Sequence, residues 1–189
     1  NISQTHIALS STRVMATCAL MGQAVGTAAA LCIKKKVLPR ELGQKYINEL
    51  QEQLLRDDVF IPNRPAKDPK DLARKASFIF ASSTVSGKAE LLTDGWSRDF
   101  EGKIHHWESD GLPAYVQLEW EKAIRLSVVE IKCDTNLQRN IMMLKTSRND
   151  ELYCNTIPPE MIKSLKLEVR HNGNWKTVAS VTRNKTRLV

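Results

Sequence analysis

The residues of this chain that could do chemistry are few and fall in three places. Trp96, Arg98, His105 and His106 lie within one stretch, WSRDFEGKIHH, which offers an aromatic plane flanked by hydrogen-bond donors. Such a set can stack on a ring with an apolar face and bind hydroxyls at its edge; the same set can pack on its own protein. Asp94 stands just before it in Thr93-Asp94-Gly95, which has turn chemistry. Cys18, Cys32, Cys133 and Cys154 form no C-x-x-C pair and have no histidine at zinc spacing, so metal binding through them is not expected. Cys18 and Cys32 would be about 21 Å apart along one helix at 1.5 Å per residue, too far to bond, and both are read as buried small apolar residues. Cys133 and Cys154 could approach each other in a β region; sequence leaves that open. The chain has eight glycines, and neither G-x-G-x-x-G nor G-x-x-x-x-G-K-[ST] can be written with them. A complete Rossmann or P-loop nucleotide site is therefore excluded.

The elements that must position these residues change character along the chain. Its 189 residues, 42% hydrophobic and 26% charged, describe a folded chain of one or two domains rather than a disordered or disulfide-scaffolded one. Only Tyr46 and Phe60 are aromatic before residue 77, whereas nine aromatics follow from Phe78 onward. Between them, residues 61–71 (IPNRPAKDPKD) carry three prolines and alternating charges, the composition of a connector. Two units are thus expected, 1–60 and 77–189, joined by a linker at 61–76.

In the first unit, Ile2 to Leu9 reads as a strand and Val14 to Ile33 as a helix of twenty uncharged residues. That length would span a membrane. The run is nevertheless rich in alanine, contains Gln23, Thr17 and Thr27, and leads into another amphipathic helix, so burial inside a larger domain is favoured over a span. Ser10 and Ser11 suit its N-cap, and Lys34, Lys35 and Lys36 complement its negative end. Pro39 opens a second helix, with Leu42, Tyr46, Ile47, Leu50, Leu54 and Leu55 on one face, ending near Asp57. A strand and two helices make a thin core, so this unit reads as a piece of something larger.

From Ser77 the period shortens. Phe78 to Ala81, Tyr115 to Trp120, Leu126 to Cys133, Ile141 to Thr146, Ser164 to Val169 and Trp175 to Val181 read as strands, broken at Thr93-Asp94-Gly95, Ser109-Asp110-Gly111 and Asn172-Gly173-Asn174. Many short strands without helical periods between them predict an antiparallel β-sandwich. The fold class is accordingly α+β in two parts. The net charge of +7 has its excess in residues 1–76, but no recognition motif accompanies it and no nucleic-acid partner is expected.

Residues 1–31, NISQTHIALSSTRVMATCALMGQAVGTAAAL, resemble the C-terminal end of the flavin-binding region of FAD-dependent oxidoreductases. The resemblance implies that the helix N-terminus approaches the pyrimidine side of the flavin, where free N–H groups and the positive dipole end stabilise negative charge on a reduced ring. Ser11, Thr12 and Arg13 would lie there, Arg13 adding a charge of the right sign; an ordinary capped helix would carry the same residues. His6 would be the weak catalytic candidate, touching flavin or substrate, against a structural role. FAD would belong to the full-length protein, with an upstream flavin domain of the same polypeptide as the partner of this segment. The chain alone would not retain it.

Ala89 to Ile131 is similar to discoidin-like, galactose-binding-like β-sandwiches of jelly-roll form. The marks are Ala89-Glu90-Leu91-Leu92-Thr93-Asp94-Gly95, Trp107-Glu108-Ser109, Pro113, Tyr115-Val116-Gln117-Leu118 and Ile124 to Ile131. This resemblance implies a core position for Trp107, structural calcium at Asp94, and carbohydrate docking on Trp96, Arg98, His105 and His106. It would call for further strands beyond Val189, so a sandwich truncated at its C-terminus is expected. It also implies a periplasmic or extracellular bacterial setting, though no targeting segment is read in the chain. Asn184-Lys185-Thr186 fits a glycosylation sequon.

Three functions compete. The first is the C-terminal part of an FAD-dependent oxidoreductase with an accessory ligand-binding β-sandwich. The second is a carbohydrate-binding module of a polysaccharide-degrading enzyme such as a xanthan lyase. Lyase chemistry needs a base and a neutraliser for the uronate carboxylate, and no constellation here pairs the two. The third is a structural interaction domain.

Overall fold

The computed structural model describes residues 4–135, 157–158 and 160–189. Two compact units are formed, Asn1–Ile124 and Arg125–Val189. The fold is mixed α+β; among the described residues the α-helices lie in the first part of the first unit, and two short 3-10 turns, Ala73–Lys75 and Ala89–Thr93, follow.

That unit opens with helix α1, His6–Thr12, where a strand was expected. Thr5 is extended, and its hydroxyl accepts the Ala8 N–H at 3.2 Å. With no strand beside it among the described residues, this local cap decides the conformation. Ser10 and Ser11 therefore sit inside α1 rather than capping the next helix, and Arg13 closes α1. Helix α2, Met15–Lys35, begins at Val14 with no side-chain cap and ends at left-handed Lys36 (φ 57°), whose N–H returns to the Cys32 and Ile33 carbonyls. Lys34 and Lys35 occupy its last turn, where the dipole favours them.

Helices α3, Pro39–Lys45, and α4, Ile47–Arg56, replace the single second helix expected there. Tyr46, at φ −126°, breaks the run. The break lets Leu42 of α3 and Leu50 and Leu54 of α4 meet Leu31 of α2 in one cluster, with Ala24, Ala28, Cys32, Val37, Val59 and Ile61 around it. Lys35 reinforces the corner, pairing with Glu49 at 2.8 Å and lying 5.1 Å from the Tyr46 ring centre. Only Leu31 of α2 is buried. Met15 and Ile33 are both 81% exposed, and Cys18, expected inside, is also exposed. By length and composition α2 could cross a membrane; in this fold its C-terminal half carries the contacts and the rest of its apolar surface is uncovered.

The proline-bearing segment does not hang free. Glu52 of α4 holds Arg64 at 3.1 Å and accepts the Lys67 N–H at 2.8 Å, while the Ala66 N–H donates to the Gly95 carbonyl at 2.8 Å. Trp120 Nε1 donates to the Leu72 carbonyl at 2.9 Å. Gly95 (φ 95°) must be glycine, because a Cβ there would stand 2.4 Å from the Ala66 carbonyl oxygen. Residues 61–76 are thus laid between the helices and the β elements of one unit.

Strands β1, Phe78–Ala81, and β4, Val116–Glu119, pair antiparallel with Phe78 opposite Glu119. Between them lie β2, Ser86–Gly87, and β3, Trp107–Glu108, also antiparallel, with Gly87 opposite Trp107. Trp107 is half-buried, its indole N–H shared between the Ser83 carbonyl and the Thr84 hydroxyl at 2.9 and 3.0 Å.

The second unit is built on a hairpin of β5, Leu165–His171, and β6, Asn174–Val181. Asn172 (φ 50°) and Gly173 (φ 83°) form its turn, the left-handed pair that two-residue hairpins favour. Expected strand Leu126 to Cys133 forms only an isolated bridge, Lys132 to Leu188, and leaves Val128 exposed. Expected strand Ile141 to Thr146 and Cys154 lie outside the described residues. Cys133 is 2% exposed, and burial pushes its thiol up despite the opposing Arg187 charge. Asn184 is 5% exposed; its amide donates to the Ile162 and Thr186 carbonyls and accepts from the Thr186 N–H. The sequon is therefore a structural turn here, with no amide free for a glycan. All described strands pair antiparallel, but in three separate two-stranded ladders, and no sandwich or closed barrel forms among the described residues.

The helical core yields a direct test. Leu54→Ala, at a buried position, should lower unfolding free energy by about 2 to 4 kcal/mol, whereas Leu38→Ala, at an exposed one, should stay within about 0.5 kcal/mol. Urea denaturation followed at the helical circular dichroism band measures both.

Candidate functional site

The residues expected to bind a ligand are brought together, and they are held largely by one another. The loop from Trp96 to His106 folds back on itself as a small hairpin, closed by Phe100 N–H to Lys103 carbonyl (3.2 Å) and the reverse bond (2.9 Å). Glu101 and Gly102 supply the left-handed turn at φ 51° and 75°. Trp96 stacks on Phe100 with ring centres 5.6 Å apart, and both rings meet Phe60, at 6.0 and 5.1 Å. His105 lies 5.1 Å from the Trp96 ring centre. Arg98 sits 5.0 Å from the Phe60 ring centre and donates to the Asp58 carbonyl at 3.4 Å. The Trp96 ring is thus engaged by neighbours of its own unit, which is the packing alternative for this loop.

Two carboxylates order the polar side of this knot. Asp94 accepts the Trp96 N–H at 2.8 Å with one oxygen and binds His105 Nδ1 at 2.6 Å with the other. Asp99 accepts the His105 N–H at 2.8 Å and His106 Nδ1 at 2.9 and 3.0 Å. Partial burial pushes the Asp99 carboxyl up, but the His105 N–H and the His106 ring outweigh it and hold the group below the usual carboxylate range. These groups do not fit calcium. That ion takes six to eight oxygens, whereas the two Asp94 oxygens already accept from the Trp96 N–H and meet His105 Nδ1, and no group of three or more His, Cys, Asp or Glu side chains that could hold a metal ion is found among the described residues.

The second candidate set sits elsewhere. His6 is in the first turn of α1, Ser11 and Thr12 are in its last turn, and Arg13 stands between α1 and α2. All four are exposed. Thr12 donates its hydroxyl back to the Ala8 carbonyl at 3.0 Å. Ser11, Thr12 and Arg13 nevertheless precede an α2 N-terminus that no side chain caps. His6, at the far end of α1, is not grouped with them. A groove of about 430 Å³ between α2 and α4, lined by Gly26, Leu31, Lys34, Gln53 and Asp57 among others, includes none of the candidates.

Residues 1–54 match the FAD dependent oxidoreductase family. This covers α1 to α3 and most of α4, and it supports a fragment of such an oxidoreductase, for which the family implies FAD in the full-length protein. No curated protein and no solved structure matches the chain.

Sequence reasoning missed Asp99 and Ser86, both of which bond to His106. Asp99 lay inside the quoted loop, and its spacing of six and seven residues from the two histidines was the available signal. Ser86 carried none, since only the β2–β3 ladder brings it within reach.

Two outcomes follow for the knot. Trp96→Ala removes three ring contacts at roughly 0.5 to 1.5 kcal/mol each, so thermal denaturation should show a loss of about 2 kcal/mol rather than an unchanged midpoint. Asp99 is depressed in the folded state, so its contribution is present above its unfolded pKa of about 3.9 and is lost as pH falls through the lower folded value. Asp99→Asn should flatten the acid limb of a stability–pH profile in that window while lowering stability near neutrality.

Proposed function

We propose that the chain is the C-terminal part of an FAD-dependent oxidoreductase, in which residues 1–60 complete the flavin domain and residues 77–189 form a galactose-binding-like accessory region without redox chemistry of its own. The family match over residues 1–54 carries this reading. The exposed apolar surface of α2 supports it, because a helix with Met15, Leu20, Val25 and Ile33 all exposed is suited to packing against a larger body, here an upstream flavin domain of the same polypeptide. Ser11, Thr12 and Arg13 would meet the flavin edge. FAD, when bound, would supply the redox chemistry; Arg13 and the first amides of α2 would orient it and favour negative charge at that edge.

The loop from Trp96 to His106 is assigned a packing role within this accessory region. Its aromatic ring contacts Phe60 and Phe100, and its charged groups are engaged locally, so a structural interaction region is favoured over a sugar-binding module.

Purified alone, the chain should be colourless, because a helix end without adenine, ribose and pyrophosphate pockets offers only a small part of the contact a dinucleotide needs. Extended through its own upstream reading frame, it should retain stoichiometric FAD through gel filtration, and Arg13→Glu should weaken that retention. An extended protein without flavin would overturn the assignment.

A further inference from the structure

We propose that Ser86, His106 and Asp99 form a nucleophilic triad able to cleave small activated carboxylic esters. Ser86 Oγ lies 3.0 Å from His106 Nε2, and His106 Nδ1 lies 2.9 and 3.0 Å from the two Asp99 oxygens. The ionised carboxylate only accepts, so Nδ1 carries the ring proton and Nε2 presents its lone pair to the serine hydroxyl. This is the arrangement by which an orienting carboxylate fixes the imidazole tautomer and the imidazole takes the proton of the nucleophile.

The local fold explains why the three groups meet. Ser86 lies opposite Glu108 in the β2–β3 ladder, and His106 immediately precedes β3, so the two are diagonal neighbours on one face, a separation an imidazole can bridge. Gly87 (φ 70°) allows the approach, since a Cβ there would stand 1.8 Å from the His106 carbonyl oxygen. The Lys88 N–H donates to that carbonyl at 3.3 Å and fixes the His106 backbone. Asp99 is further fixed by the His105 N–H, which donates to its Oδ1 at 2.8 Å. The His106 side chain is 40% exposed and that of Asp99 26%, so the imidazole can be reached by a ligand while the carboxylate is more shielded, and Ser86 is half-buried beside it. A shallow site of this kind suits small esters with good leaving groups.

The reaction balances with water as the only co-reactant. Ser86 Oγ bonds to the ester carbonyl carbon and its proton passes to His106 Nε2. The carbon–oxygen bond to the alcohol then breaks, and the alcohol departs with that proton, leaving an acyl group on Ser86. Water attacks the acyl carbon, gives a proton to Nε2, and Ser86 leaves as the hydroxyl by taking it back, releasing the carboxylic acid. Asp99 is a positioning residue throughout.

The test uses the intact chain and diisopropyl fluorophosphate, whose phosphorus forms a bond to the serine oxygen as fluoride leaves. Intact mass and peptide mapping should show one adduct, on Ser86, and p-nitrophenyl acetate should give an acetylated Ser86. Labelling should disappear in Ser86→Ala and in urea, and it should slow by about 10² to 10⁴-fold in His106→Gln, the range a positioned general base supplies. An unlabelled Ser86 in folded protein would overturn the proposal, as would labelling equally fast in urea or in a His106→Gln variant with native circular dichroism. The wild-type comparison with urea decides the matter even where a variant does not fold.

Discussion

The contact between Phe60 and the rings of Trp96 and Phe100 is what ties the helical part of the first unit to its β part. Phe60 lies four residues after α4, whereas the two partner rings come from the loop before β3. Aromatic surface is the largest apolar area the loop possesses, and burying it against Phe60 offsets the cost of ordering a loop of this length. Asp94 and Asp99 then set the loop's backbone by accepting the Trp96 and His105 N–H groups. The imidazoles follow from that backbone. His105 is turned to Asp94 and His106 to Asp99, which leaves Nε2 of His106 to meet Ser86. Packing thus comes first and the polar geometry depends on it.

The helices show the complementary situation, a local structure with more apolar surface than its own unit covers. Leu31, Leu42, Leu50 and Leu54 form a small cluster at one end of α2. Each buried leucine contributes about 1.5 to 3 kcal/mol relative to exposure, enough to fold α3 and α4 onto the last turns of α2. The N-terminal half of α2 has no such cover. Its capping is asymmetric in the same sense: the C-terminus is closed by Lys36 and by basic residues, while the N-terminus carries no side-chain cap.

What the residues determined by themselves were features set by near neighbours. Strands at Phe78–Ala81, Val116–Glu119, Leu165–His171 and Asn174–Val181 match the expected positions closely, because alternating apolar residues bounded by turn sequences leave few other choices. The Asn172-Gly173 hairpin and the helices opened by residue 15 and by Pro39 were equally legible. So was the similarity of the first residues to FAD-dependent oxidoreductases, which the match over residues 1–54 supports.

What only the tertiary structure decided depended on distant partners. Residues 6–12 form a helix with no strand beside them among the described residues, and the break at Tyr46 lets Leu50 and Leu54 meet Leu31. The connector composition of residues 61–76 said nothing of Glu52 or Gly95, which hold it in place. Leu126 to Cys133 has strand composition yet only one bridge, since composition cannot supply a partner edge. The site is the sharpest case. Trp96, Arg98, His105 and His106 were identifiable as chemistry-bearing residues, but whether they face a ligand or one another was fixed by Phe60, far away in sequence. Ser86 joins them through a two-residue ladder, a contact that spacing along the chain does not encode.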